Sequence, residues 1–211
     1  MAMTCMSIQI GKPMTIDHNG KELTTGIYKA RVEGSVFIGK LNVEGDGQAD
    51  LKNHGGKDKA VCVYPYEHYA YWKQDLNKEM TNGAFGENLT VKGMVEKEVY
   101  IGDTYKVGDV VVQVSQPRQP CFKLAKRNDV NDLVVRVQET GYTGYYFRVL
   151  EEGFVEENDP IELLERHPNA VSVDFANTIM FKEKDNIEGI KAVLALDELS
   201  DSWRETLQKR L

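Results

Sequence analysis

The stretch Val99–Gln116, "VYIGDTYKVGDVVVQVSQ", decides the fold class. It is rich in β-branched residues, is punctuated by Gly and Asp, and reads as two strands joined by a short turn. The second strand delivers the chain straight into "PRQPC", Pro117 to Cys121. Upstream, residues 4–12 and 22–33 alternate apolar and polar positions, as half-buried strands do. The Asn-Gly pair in "DHNGKE" between them signals a hairpin turn. "SVFIGKLNV" and "AVCVY" add strands, with Cys62 of the latter read as a small core residue. "GAFGENLTV" is a Gly-rich turn entering a strand, and "TGYYFRVLEEGFV" and "DPIELLER" are strand-like. Many short strands, mostly antiparallel by their turns, predict an α+β, mainly β fold: a closed or nearly closed barrel with a few helices.

Two segments before Arg166 read as helices. "PYEHYAYWKQDLNKE" suits a helix with Pro65 at its first position. "CFKLAKRNDVNDLVVRVQETG" suits one helix stopped by Gly141. After Arg166 the pattern changes to three short amphipathic segments, with Ser172 and Ser200 as candidate N-caps. The expected organisation is a barrel domain over 1–166 and a small three-helix appendage over 167–211.

The 41% hydrophobic content supports a packed core. No apolar run approaches the roughly 18 residues that span a membrane, and "MAMTCMSIQI" lacks the basic-then-apolar order of a signal peptide. A cytoplasmic protein with no membrane partner is expected. A net charge of −7 argues against a nucleic-acid polymer as partner. The three C-terminal segments do not change this: from His167 to Leu211 six basic residues face eight acidic ones. Arg118, Lys123, Lys126 and Arg127 nevertheless form an acid-free basic run, which suits a small anionic ligand. Cys5, Cys62 and Cys121 are odd in number and far apart, so they form neither a disulfide framework nor a C-x-x-C or iron–sulfur site.

Three short motifs carry chemistry. In "SQPRQPCFKL", Pro120 suits the first position of a helix, which places Cys121 in the first turn, where unpaired N–H groups and the basic Arg118 and Lys123 favour a thiolate. A thiolate there is either a nucleophile or a soft metal ligand. In "NHGGKDKA", within the long polar stretch 44–60, Gly55 and Gly56 let the backbone approach a ligand or form an anion nest, and Lys57 and Lys59 add charge. In "GENL", Glu87 and Asn88 either cap a turn or hydrogen-bond a heterocycle.

In this order and spacing, "EGDGQADLKNHGGKDKAV", "FGENLT" and "SQPRQPCFK" resemble the MOSC family, domains related to the C-terminal part of molybdenum cofactor sulfurases. The resemblance runs from about residue 5 to 165, and the tail resembles the three-helix extension of the YiiM-type branch. It implies a MOSC β-barrel that binds the molybdenum cofactor, a molybdenum–pterin, with Cys121 as both catalytic residue and metal ligand. Lys57, Lys59, Arg118 and Lys123 become candidates for the cofactor phosphate, with Arg118 the best bidentate donor. The Gly55 and Gly56 amides and the side chains of His54 and Asn88 become candidates for the pterin edge. The implied activity is reduction of N-hydroxylated compounds such as hydroxylaminopurines and amidoximes, with Asp58 or Glu87 among possible proton relays. No nucleotide fingerprint is visible, so electrons are expected from a separate reductase of flavin or iron–sulfur type. A face of the three-helix tail could make a homodimer. The competing readings keep Cys121 central: a persulfide sulfur carrier, a thiol enzyme pairing Cys121 with His54 or His68, or a cofactor carrier without turnover. A pyridoxal phosphate Schiff base through Lys59 or Lys123 is a further one.

Overall fold

A computed structural model describes residues 2–211. β1 (Met3–Ile10) lies at the seam of the sheet. One edge pairs with β7 (Leu89–Lys92); the other pairs with β12 (Pro160–Glu165) near the start of β1 and with β4 (Ala30–Val32) near its end. From β12 the sheet continues through β8 (Thr104–Val107), β9 (Val110–Pro117), β10 (Tyr145–Glu151) and β6 (Val61–Pro65) and returns to β7, so that seven strands close into a barrel. β6 and β7 pair in parallel; the other barrel pairs are antiparallel. The closure removes the exposed edges that would otherwise recruit another chain.

The alternation in β9 explains its place. Val110, Val112 and Val114 are buried, and Val112 and Val114 face Val149 and Phe147 of β10 in register. With Val61, Val63, Tyr105 and Tyr145 they fill the barrel. α2 (Glu67–Asp75) buries His68, Tyr69 and Trp72, and Tyr64 stacks on Phe85 at 4.0 Å. This aromatic layer also takes up Leu124, Leu133 and Val137. These come from α3 (Phe122–Asn128) and α4 (Leu133–Thr140), so the helices sit on the barrel beside α2.

The C-terminal region is helical as expected. α5 (Val173–Asn177) runs into a wide turn over Thr178–Lys182, followed by α6 (Ile187–Leu194) and α7 (Asp201–Gln208). Ser172 Oγ accepts the Phe175 N–H at 3.0 Å and Ser200 Oγ accepts that of Trp203 at 3.4 Å, which satisfies helix-end donors. Ile179, Ile190, Val193, Trp203 and Leu207 pack together with Ile101 from the barrel side. Among the described residues no helix is long and apolar enough to cross a membrane.

Several local expectations change. The Asn19-Gly20 turn forms, with both residues at positive φ, but it joins β2 (Met14–His18) to β3 (Lys21–Thr25), a two-stranded hairpin apart from the barrel sheet. "SVFIGKLNV" keeps only β5 (Val36–Ile38), paired with β11 (Gly153–Val155), before the chain turns back through an Ile38–Val43 bridge. The polar stretch 44–60 holds a one-turn helix, α1 (Leu51–His54), and a 3-10 turn over Lys57–Lys59. Pro65 ends β6 instead of opening a helix: it pairs with Val91, and the Tyr66 N–H still donates to the Val91 carbonyl at 2.7 Å. The single helix expected over 121–141 is two, broken at Asp129, which adopts φ 51°; Asn and Asp tolerate that conformation. Gly141 does stop the second, at φ 77°.

Trp203 is fully buried. Trp203→Ala is expected to destabilise the chain by about 3–5 kcal/mol in denaturant titration, the usual cost of emptying a large aromatic site. A loss below about 1 kcal/mol would show that the helical region closes over the gap.

Candidate functional site

The barrel and the 44–60 segment deliver two arms to one open cleft of about 570 Å3, solvent at its mouth included. The first arm leaves β9 at Pro117. The Arg118 N–H donates to the Gly144 carbonyl at 3.0 Å. Gly144 has φ 69°, and a Cβ there would lie 2.3 Å from the Val63 carbonyl oxygen, so only glycine lets these two segments meet. Cys121 is extended (φ −122°, ψ 165°) and precedes α3 as its cap. It therefore sits one residue before the first helical turn, and its thiol accepts no hydrogen bond from the helix N-terminus. Lys123 follows and lines the same cleft.

The second arm carries His54 and Lys59 into the cleft. Gly55 lies against the turn before it: its N–H donates to the Leu51 carbonyl at 3.2 Å, and a Cβ would come within 2.8 Å of that oxygen. Gly56 (φ 94°) and Lys57 are exposed, and neither they nor Gly55 line the cleft. Of the residues singled out from sequence, the structure thus brings together His54, Lys59, Asn88, Arg118, Cys121 and Lys123, and leaves Gly55, Gly56 and Lys57 beside the cleft.

Burial and charge set the character of the cleft. Arg118 is only 7% exposed, and among the described residues no carboxylate pairs with it. Burial works against its charge, but the surrounding titratable groups, the Glu87 carboxylate among them, hold the guanidinium above its ordinary range. Burial, and then the charges of Arg118 and Lys123, push His54 down to about 4, so at neutral pH its ring is uncharged. Burial lowers Lys59 as well, partly offset by Asp58 and Asp50. Cys62 and Tyr146 line the cleft beside Arg118 and hydrogen-bond each other; burial raises both, so both stay protonated.

Other polar residues are committed to the frame. The Asn88 side chain accepts the Cys62 N–H at 3.1 Å and donates to the Gln9 carbonyl at 3.3 Å and to Asp46 at 2.9 Å. It fixes the wall, and its amide has little left for a ligand. Glu87 accepts from the Gly83 N–H at 2.7 Å, from Thr90 at 2.9 Å and from Tyr69, which clamps the 83–86 turn. Asp58 pairs with Arg148 at 2.8 Å. Neither Glu87 nor Asp58 lines the cleft. His68 is also absent from it: it faces Glu96 at 2.6 Å and stacks on Tyr142 at 3.8 Å.

Sequence reasoning missed Lys29, Asp46, Cys62 and Tyr146 as lining residues. Asp46 lies in the stretch whose length already marked it, and it forms a buried ion pair with Lys29. Lys29, Cys62 and Tyr146 carry no local signal, because two sit in strands that read as core and one in a connection between strands.

A barrel with a thiol and a buried cation at one cleft has a shape and charge that suit a small anionic ligand. The family model of the MOSC domain matches residues 50–162, and that of the YiiM-like 3-alpha helix domain matches 171–211. The chain belongs to the MOSC domain family. It is 51% identical to the uncharacterized protein YflK of Bacillus subtilis (strain 168), covering 97% of this chain and 93% of that one. It is 42% identical to a protein of Gibberella moniliformis (strain M3125 / FGSC 7600) named "Reductase", over 70% of this chain but only 27% of the relative. The crystal structure of YiiM from Geobacillus stearothermophilus superposes with a TM-score of 0.86 at 44% identity, over 99% of both chains.

The His54 value lies below the ordinary 6.5, so as pH falls the unfolded chain takes the proton first. The stability linked to His54 is therefore whole above pH 6.5 and is lost as pH falls from 6.5 to about 4. His54→Gln should flatten that part of the stability profile, and the ring should titrate near 4 by NMR. Titration near 6.5 would contradict the burial and charge account.

Proposed function

We propose that the cleft binds the molybdenum–pterin cofactor and that the protein reduces N-hydroxylated compounds, hydroxylaminopurines and amidoximes among them. The observation that carries this reading is Arg118, a charge 93% removed from solvent that forms no ion pair with a carboxylate among the described residues, Glu87 acting on it only through its field. An unanswered buried charge is costly, and an anionic ligand would offset it. The donor set fits the cofactor. Among the described residues no three His, Cys, Asp or Glu side chains come together to hold a metal ion. A metal taken by Cys121 must then bring its other ligands, as one already chelated by a pterin does.

In this reading Cys121 is the protein's metal ligand, and Arg118, Lys59 and Lys123 hold the cofactor's anionic groups. His54, uncharged at neutral pH, offers one donor and one acceptor to the ring system. Cys62 and Tyr146 close the inner wall as neutral groups. The bound cofactor supplies two-electron reduction that removes the hydroxyl oxygen from nitrogen, while the chain orients the substrate and limits water. The electrons come from a separate flavin or iron–sulfur reductase in the cytoplasm. The Gibberella relative supports this link, since most of its length lies outside the matched segment and its name is "Reductase".

Expression in a host that makes the cofactor tests the reading. Wild type should retain about one molybdenum and one pterin per chain and reduce a hydroxylaminopurine or benzamidoxime with a chemical electron donor. Cys121→Ser should lose more turnover than the roughly 10–100-fold that removing a group which only orients a metal ligand costs. Arg118→Met should lower pterin retention. A wild-type chain free of metal and pterin, under conditions that load another molybdoenzyme, would contradict the proposal.

A further inference from the structure

The two arms of the cleft share a support that neither provides itself. The Arg148 guanidinium, on β10, donates through Nε to Asp58 at 3.0 Å and through Nη1 to Gln113 of β9 at 3.1 Å. Its Nη2 donates to the Glu198 carbonyl at 2.8 Å, in the segment between α6 and α7. Asp58 immediately precedes Lys59 on one arm. The other arm is tied to the same segment. The Ser200 N–H donates to the Ser115 carbonyl at 3.0 Å, and Ser202 Oγ donates to Gln116 Oε1 at 3.1 Å. Gln116 in turn donates to the Pro117 carbonyl at 3.0 Å, one residue before Arg118. Ser115 Oγ closes the circuit by donating to the Asp58 carbonyl at 2.5 Å. Ser115, Gln116 and Ser200 are each at most 1% exposed, so these bonds are shielded from competition by water.

We propose that residues 198–202 of the helical region, acting through Arg148 on one arm and through Ser200 and Ser202 on the other, position the arms that carry Lys59 and Arg118, and with them His54 and Cys121. The region is then part of the site's scaffold, and Arg148 is a positioning residue that touches no ligand. The proposal rests on the cofactor reading for its purpose, but its mechanical content holds for the protein without cofactor. Arg148 suits this role because its planar fork reaches three acceptors on three separate segments, which a lysine ammonium does with poorer geometry.

The test uses full-length Arg148→Met, Arg148→Lys and the double variant Arg148→Met/Asp58→Asn, which removes the carboxylate left without its partner. Hydrogen exchange is read in the cofactor-free protein at the amides of Lys59, Cys62 and Arg118, alongside the melting midpoint. The expected result is exchange about tenfold faster at these three amides in both Met variants, with distant barrel amides unchanged and partial recovery in Arg148→Lys. Unchanged exchange at the three amides would overturn the proposal. A uniform rise across the chain would overturn it too, because it would make Arg148 a general stabiliser. Cofactor retention is measured separately. Loss of retention in the Met variants, with wild type loaded, adds support. A wild type that never loads counts against the cofactor reading and leaves the exchange result to decide this one.

Discussion

The structure depends most on a positive charge held out of water. Arg118 sits where β9 leaves the barrel, its N–H fixed to Gly144 and its guanidinium beside two protonated groups, Cys62 and Tyr146. Cores that bury charge usually pair it. Here no ion pair with a carboxylate is found among the described residues, and the Glu87 carboxylate acts on it only through its field. His54 is kept neutral so that it adds no further positive charge. Glu87 and Asp58 are bonded into other networks. Cys121, three residues along, lines the same cleft.

The barrel makes this arrangement rigid. β9 and β10 pair along most of their length, and each contributes to the cleft: β9 supplies the arm and β10 supplies Tyr146 and, through Arg148, the brace to Asp58. β6 lies next to β10 and contributes Cys62, whose N–H and carbonyl are both bonded to Asn88. Three neighbouring strands thus set the inner wall, and two loop arms set the rim. A site with its polar anchors on paired strands loses less entropy on binding than one built on loops alone.

The sequence was most legible where physics is local. The Val-rich alternation of 110–114, the Asn19-Gly20 turn, the Ser172 and Ser200 caps and the Gly141 stop each depend on a few adjacent residues. What failed were the pairings. The Asn-Gly turn says where the chain reverses but not which strands it belongs to, and β1 goes to partners as distant as β12. Asp129 breaks a helix that its flanking residues would continue, because an Asp in an Asn/Asp-rich run accepts positive φ. The cleft was legible for the same reason: His54, Lys59, Arg118, Cys121 and Lys123 stand in polar, proline- or glycine-rich segments that have no packing role to explain them. Lys29, Cys62 and Tyr146 look like ordinary core or connection residues, and only the closing of the barrel turns them toward the cleft. Asp58 and Glu87, plausible relays from sequence, are seen in three dimensions to be structural.

The most direct test of the account is X-ray absorption at the molybdenum edge of the loaded protein, comparing wild type with Cys121→Ser. The account predicts one more sulfur ligand in the wild type than in the variant, at equal pterin content. The same sulfur count in both proteins would contradict it, because the cleft would then hold its cofactor by charge alone and Cys121 would have another purpose.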